Sequence, residues 1–114
     1  MDNSNQIGLF LHQIGVSSKY AGFDFLILAI ILLLQENGFY TMKQLYEEIA
    51  RMRNCTAYMV ERNIRTCIEA SWYKISYENV VKVFGDTVNY ENDRPSNREF
   101  ILNIFDYYRF TCRL

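Results

Sequence analysis

The stretch Thr56 to Trp72, TAYMVERNIRTCIEASW, decides how this chain is read. Its residues Val60, Ile64, Cys67, Ile68 and Ser71/Trp72 recur at three- and four-residue steps, so they line one face of a helix. The opposite face carries Met59, Arg62, Asn63 and Thr66, with Glu61 and Arg65 on its shoulders. A helix that buries one side and shows Arg, Asn and Thr on the other has the donors and acceptors needed to read base edges in a major groove. Just before it, Thr41 to Met52 forms a second amphipathic segment, joined by the short connector Arg53-Asn54-Cys55. This spacing predicts a helix-turn-helix over about residues 41–74, and with it DNA binding.

Working outward, the remaining segments also read as helices. A first helix is expected from about Gln6 to Ile14, with Leu9, Phe10 and Gln13/Ile14 on one side and Gly15 ending it. A long apolar helix follows from about Gly22 to Glu36 and stops at Asn37-Gly38, a C-terminal signal. Its core, FDFLILAIILLL from Phe23 to Leu34, is shorter than the roughly 20 apolar residues of a bilayer span. It therefore reads as a helix buried on nearly every side. Thr41 and Gln44 make a capping box for the third helix, whose inward stripe is Met42, Leu45, Ile49 and Met52. Asn54 or Thr56 is available to cap the fourth.

A fifth, shorter helix is expected over about Ser76 to Phe84, with Val80, Val81 and Phe84 inward and Gly85 closing it. Asp86 to Arg94 is a polar connector. Pro95 then precedes Ser96-Asn97-Arg98-Glu99, a second capping box that opens a last helix through Phe100, Ile101, Ile104, Phe105 and Tyr108. With five glycines and one proline the chain lacks the turn residues of a sandwich or barrel. The fold predicted is all-α, a six-helix single domain spanning residues 1–114, with residues 1–5 expected to be disordered.

The composition limits the functions available. Net charge is −1, which argues against a strongly basic nucleic-acid binder. The distribution is more telling: Lys43, Arg51, Arg53, Arg62, Arg65 and Lys74 against Glu47, Glu48, Glu61 and Glu69 give +2 over the helix pair, whereas residues 1–40 sum to −2. Cys55, Cys67 and Cys112 form no C-x-x-C pair and are odd in number, as in a reduced cytoplasmic protein. No secretory signal opens the chain. His12 is the only histidine and has no Cys or carboxylate partners at ligand spacing, so neither a metal nor another cofactor is expected. No Ser-His-Asp set, phosphate loop or carboxylate pair is present, so no enzymatic activity is expected. Trp72 and the aromatic residues of the last helix read as core.

Further words of the sequence carry a resemblance. Leu11-His12-Gln13-Ile14-Gly15-Val16 comes first, then Thr56-Ala57 with Val60-Glu61-Arg62 and Ile64-Arg65, then Ile68-Glu69 and Trp72. Phe84-Gly85 with Thr87-Val88 and Pro95-Ser96-Asn97 with Glu99-Phe100-Ile101 complete the series. In that order and spacing, from about residue 11 to 108, they resemble the C-terminal DNA-binding domain family of stage zero sporulation protein A, the sporulation master response regulator. The resemblance implies an all-helical transcription-factor domain whose helix at Thr56–Trp72 enters the major groove of a promoter element. It implies base and phosphate contacts from Glu61, Arg62 and Arg65. It also implies that the segment from about Tyr73 to Val88, including Glu78 and Lys82, meets the sigma subunit of RNA polymerase.

The candidate DNA-contacting set is therefore Thr56, Tyr58, Met59, Glu61, Arg62, Asn63, Arg65 and Thr66, with Arg65 equally suited to an intrahelical pair with Glu61 or Glu69. The family has a basic residue where Met59 stands and more lysine around Glu91-Asn92-Asp93-Arg94, which lowers the positive charge of the expected DNA face. Weak binding of a single copy, with self-association on tandem sites, is the expected consequence. The family's domain normally follows a phosphorylatable receiver, and none is present here. The chain is either an excised domain or a free-standing regulator, the Met-Asp-Asn start favouring the second. An alternative is an interaction module of the same fold that modulates a sigma factor or a full-length regulator. The acidic balance of residues 75–97, with Glu78, Asp86, Glu91 and Asp93 against Lys82 and Arg94, favours that alternative.

Overall fold

The computed structural model describes residues 4–38, 40–85 and 94–111. Among these the chain is all-helical: α1 Ser4–Ile14, α2 Ala21–Gln35, α3 Met42–Arg53, α4 Ala57–Ser71, α5 Tyr77–Phe84 and α6 Asn97–Thr111. A 3₁₀ turn, Trp72–Lys74, continues α4. Ser4 and Asn5 lie within α1, so the expected N-terminal disorder does not extend to them. The connector predicted over Asp86 to Arg94 falls, apart from Arg94, outside the described residues.

Local chemistry sets the helix ends. In α2, Asn37 takes the left-handed conformation and the Gly38 N–H reaches the Leu33 carbonyl at 2.8 Å, closing the helix with a Schellman turn. The Thr41 box is complete: its hydroxyl accepts from the Gln44 N–H, and the Gln44 side chain accepts from the Thr41 N–H. Ser96 and Glu99 form the same reciprocal pair at the start of α6, at 3.1 and 2.9 Å. Ser76 caps α5 by accepting from the Asn79 N–H.

α2 runs through the middle of the domain. Leu26, Ala29, Ile30 and Leu33 are sealed from solvent, and α1, α3, α4 and α6 all pack on it. None of the described helices is long and apolar enough to cross a membrane. α2 and α4 approach each other closely at Gly22. A Cβ at Gly22 would stand 2.2 Å from the Asn63 carbonyl oxygen and 2.7 Å from the Cys67 Cβ, so only glycine fits. Cys67 at this crossing is fully buried and its thiol approaches the Ser17 carbonyl oxygen at 3.7 Å. Burial pushes the thiol pKa up to about 11, so it stays protonated and unreactive at neutral pH. The Ser17 N–H donates to the buried Ser71 hydroxyl at 3.1 Å, which ties the α1–α2 connection to the end of α4.

Trp72 is fully buried and meets Phe84 at a centroid distance of 5.1 Å; Phe84 meets Phe100 at 5.3 Å. This cluster joins the end of α4 to α5 and α6, as the core reading of Trp72 requires. The inward faces of α4 and α6 agree with their apolar periodicity. Three other helices differ. In α1 the buried residues are Ile7, Phe10, Leu11 and Ile14, and Leu9 points to solvent. In α3 Ala50 is buried while Met52 is exposed, because the helix packs on α2 and α4 along Leu45, Ile49 and Ala50, and Met52 lies off that stripe. In α5 Val83 faces inward and Val81 is 43% exposed, since α5 packs on α6 through Val80, Val83 and Phe84.

Gly22→Ala tests the crossing. Alanine favours a helix interior by about 1 kcal/mol over glycine, but here the added methyl meets backbone that cannot yield. The variant is expected to lose about 3 kcal/mol in urea denaturation, the upper range for overpacking a core. A variant as stable as the parent shows that the helices do not approach this closely.

Candidate nucleic-acid interface

α3 and α4 pack against each other as a folded pair, and the turn between them is built by two polar residues. Asn54 closes α3 in the left-handed conformation at φ 54°, which asparagine tolerates better than most residues, and the Cys55 N–H reaches back to the Ala50 carbonyl at 3.0 Å. Thr56 then caps α4 by accepting from the Met59 N–H at 3.1 Å. Of the two candidate caps, Thr56 takes the role and Asn54 serves the preceding helix. Arg53 at the end of α3 holds Asp24 in the first turn of α2 through two hydrogen bonds, 2.8 and 3.1 Å, and so fastens the turn to the central helix.

The inward stripe of α4 is Val60, Ile64, Cys67, Ile68 and Ser71. Opposite it lie Tyr58, Met59, Arg62, Thr66 and Glu69, all exposed. Tyr73, in the turn that follows, extends this face. Arg62 sits at its centre and has no ion pair among the described residues. Met59, beside it, is 47% exposed and uncharged.

The flanks differ from the centre. Glu61 and Arg65 are half-buried and form an ion pair one turn apart. The Glu61 carboxylate raises the already high pKa of Arg65, so that guanidinium remains charged. Asn63 is half-buried over the α2 crossing, and its side-chain amide donates to the Met59 carbonyl at 2.7 Å. It belongs to the edge of the face rather than to its middle. Glu78 and Lys82 are on a different surface, exposed on α5 beside Tyr77 and Val81. Tyr58, Met59, Arg62 and Thr66 thus share one exposed face, Thr56 is exposed at the N-terminal end of α4, Glu61, Asn63 and Arg65 border the face, and the α5 pair stands apart.

Three residues beside α4 carry no periodic signal in the sequence. The Asn97 amide at the start of α6 donates to the Glu61 carbonyl at 3.0 Å and to the Tyr46 hydroxyl at 3.2 Å, clasping α3, α4 and α6 together. Burial raises the Tyr46 phenol pKa, which keeps this hydroxyl protonated. Arg94 reaches Glu69 on α4 at 2.6 Å, and Arg98 is exposed nearby. No metal-binding group of His, Cys, Asp and Glu occurs among the described residues.

Removing the α4 cap isolates its contribution. Thr56→Ala is expected to lower stability by about 0.5–2 kcal/mol, because the Met59 N–H loses its acceptor. Equilibrium unfolding of the two proteins checks this, and equal midpoints show that water replaces the cap without loss.

The family model described as "Sporulation initiation factor Spo0A C terminal" matches residues 7–108, nearly the whole chain.

Proposed function

The chain belongs to the family of Spo0A C-terminal domains, the DNA-binding effector domain of a sporulation regulator and not an enzyme family, and on that premise we propose that it recognises promoter DNA sequence-specifically through α4. The exposed stripe around Arg62 carries this reading. Arg62 is charged, outward and unpaired among the described residues, on a helix whose other face is locked into the core. In a major groove its guanidinium can donate to both acceptors of a guanine. Thr66 and the Met59 side chain read neighbouring positions, the latter by apolar contact. The Thr56 hydroxyl, having accepted from Met59, still has a proton to donate to a phosphate, and the Tyr58 hydroxyl can do the same. Asn63 and Glu61 each have one group engaged, Nδ2 on the Met59 carbonyl and Oε2 on Arg65, and would meet bases with the other, Oδ1 and Oε1.

Affinity per copy is low in this reading. Each phosphate neutralised adds roughly 0.9 to the salt slope of log affinity, and Met59 adds no charge to the face. Useful binding then requires copies side by side on tandem sites. The second surface, on α5, suits a protein partner: Tyr77 and Val81 give it an apolar centre, and Glu78 and Lys82 give it charges of both signs. We assign it to the sigma subunit of RNA polymerase. The same surface supports the interaction-module alternative, in which protein contact outlasts useful DNA affinity. Selection of bound sequences from a random duplex pool at low salt separates the two: an enriched motif supports recognition by α4, and its absence supports the module.

Arg62→Ala is expected to weaken binding to the selected duplex by about 1–3 kcal/mol with the melting temperature nearly unchanged. Equal loss on selected and random duplexes makes Arg62 a phosphate contact, and no loss on either removes α4 from the DNA face.

Met59→Arg is expected to strengthen binding, steepen the salt slope by up to about 0.9 if the new side chain meets a phosphate, and shift the preferred bases it reaches. Anisotropy titrations across a salt series measure both effects. No gain on any duplex places residue 59 away from DNA.

A further inference from the structure

Between α4 and the start of α6 lies a depression of about 360 Å³, and three arginines, Arg65, Arg94 and Arg98, are among the residues that line it. Ser96, Asn97 and Glu61 line it as well. Arg65 is held by Glu61 and Arg94 by Glu69, while Arg98 has no carboxylate partner among the described residues. The residues lining the depression therefore include one uncompensated positive charge and two cations in surface pairs, Arg94–Glu69 exposed and Arg65–Glu61 half-buried; exposed pairs contribute only about 0–1 kcal/mol. Such pairs exchange readily for another anion.

The position of the depression identifies that anion. Three residues along a helix turn the side chain by about 60°, so when Arg62 points at the groove floor, Arg65 points toward a groove wall. A helix with its side chains is about 10–12 Å across and the major groove about 12 Å wide, so α4 fills it. An element packed against the flank of α4, as α6 is through Asn97, must then rest on the rim, where the phosphates run. We propose that this depression is a second DNA-contact site, which takes a backbone phosphate from Arg98 together with Arg65 and Arg94 as these leave Glu61 and Glu69. The site is indifferent to sequence. It rests on the placement of α4 in the groove, and adds to it a contact from the far end of the chain.

The test is a salt series of anisotropy titrations on a selected duplex and a random one, with the parent, Arg98→Gln, Glu69→Gln and, as a control of equal charge change, Lys19→Gln in the α1–α2 connection. Thermal melts verify folding of each. Arg98→Gln is expected to weaken both duplexes about ten-fold at low salt, the scale of one charge-assisted hydrogen bond, and to reduce the salt slope by about 0.9. Glu69→Gln, which frees Arg94, is expected to tighten both, and the ratio between duplexes stays constant throughout. The site is overturned if Arg98→Gln changes neither affinity nor slope, if Lys19→Gln matches its effect, if the loss is confined to the selected duplex, or if Glu69→Gln binds no tighter than the parent. A parent that discriminates the two duplexes while Arg98→Gln behaves identically rejects this site and leaves recognition by α4 intact. A parent that binds neither rejects both.

Discussion

The contact of α2 with α4 at Gly22 governs the rest of the molecule. With no side chain at that position, the backbones come close enough for a Cβ to fall 2.2 Å from the Asn63 carbonyl. The distance and tilt of α4 are thereby fixed against the most apolar helix of the chain. Once α2 is in place, α1, α3 and α6 take up its remaining sides, and Trp72, Phe84 and Phe100 fill the gap at the end of α4. The outward face of α4 follows from its inward one. Arg62 is presented to solvent because Val60, Ile64 and Cys67 are fully buried.

Charge on and around α4 is arranged in two zones. At the centre of the exposed face Arg62 stands without a carboxylate partner among the described residues, whereas on the flank Arg65 and Arg94 are paired with Glu61 and Glu69. Pairs at the surface, such as the exposed Arg94–Glu69, add little to stability. Their larger effect is on the field that a polyanion meets: pairing lowers the positive potential of the free domain, in keeping with the net charge of −1. On the proposed reading of α4, this arrangement favours discrimination over non-specific attraction, because base contacts would keep their full value while paired arginines add little to the attraction of the free domain.

The polar contacts between helices serve orientation more than adhesion. Asn97 meets a carbonyl of α4 and a hydroxyl of α3 with one amide, and Arg53 grips Asp24 at the other side of the pair. Asn63 shows the consequence for recognition. The spacing of the sequence puts it among the groove-facing residues, but the α2 crossing draws it to the edge, and its amide turns back to its own helix.

The sequence by itself determined the helical class, the capped starts at Thr41 and Ser96, and the inward faces of α4 and α6; for the start of α4 it offered Asn54 or Thr56, and the structure chose Thr56. These features depend on residues within one turn of each other, or on one buried stripe at a 3.6-residue period, and both are local. The family was also legible, because its short words hold their order along nearly the whole chain. The inward faces of α1 and α5 were decided only by the tertiary structure. Leu9 lies next to Phe10 and Leu11, and Val81 next to Val80 and Val83, so each helix offers two apolar stripes, and the neighbouring helix selects the buried one. The same holds for Gly22, for the Asn97 clasp and for the arginines beside α4. Their partners are distant in sequence, between 25 and 51 residues away for the hydrogen bonds of Arg94 and Asn97. No periodicity encodes such pairings; they exist only once the core has set the helices side by side.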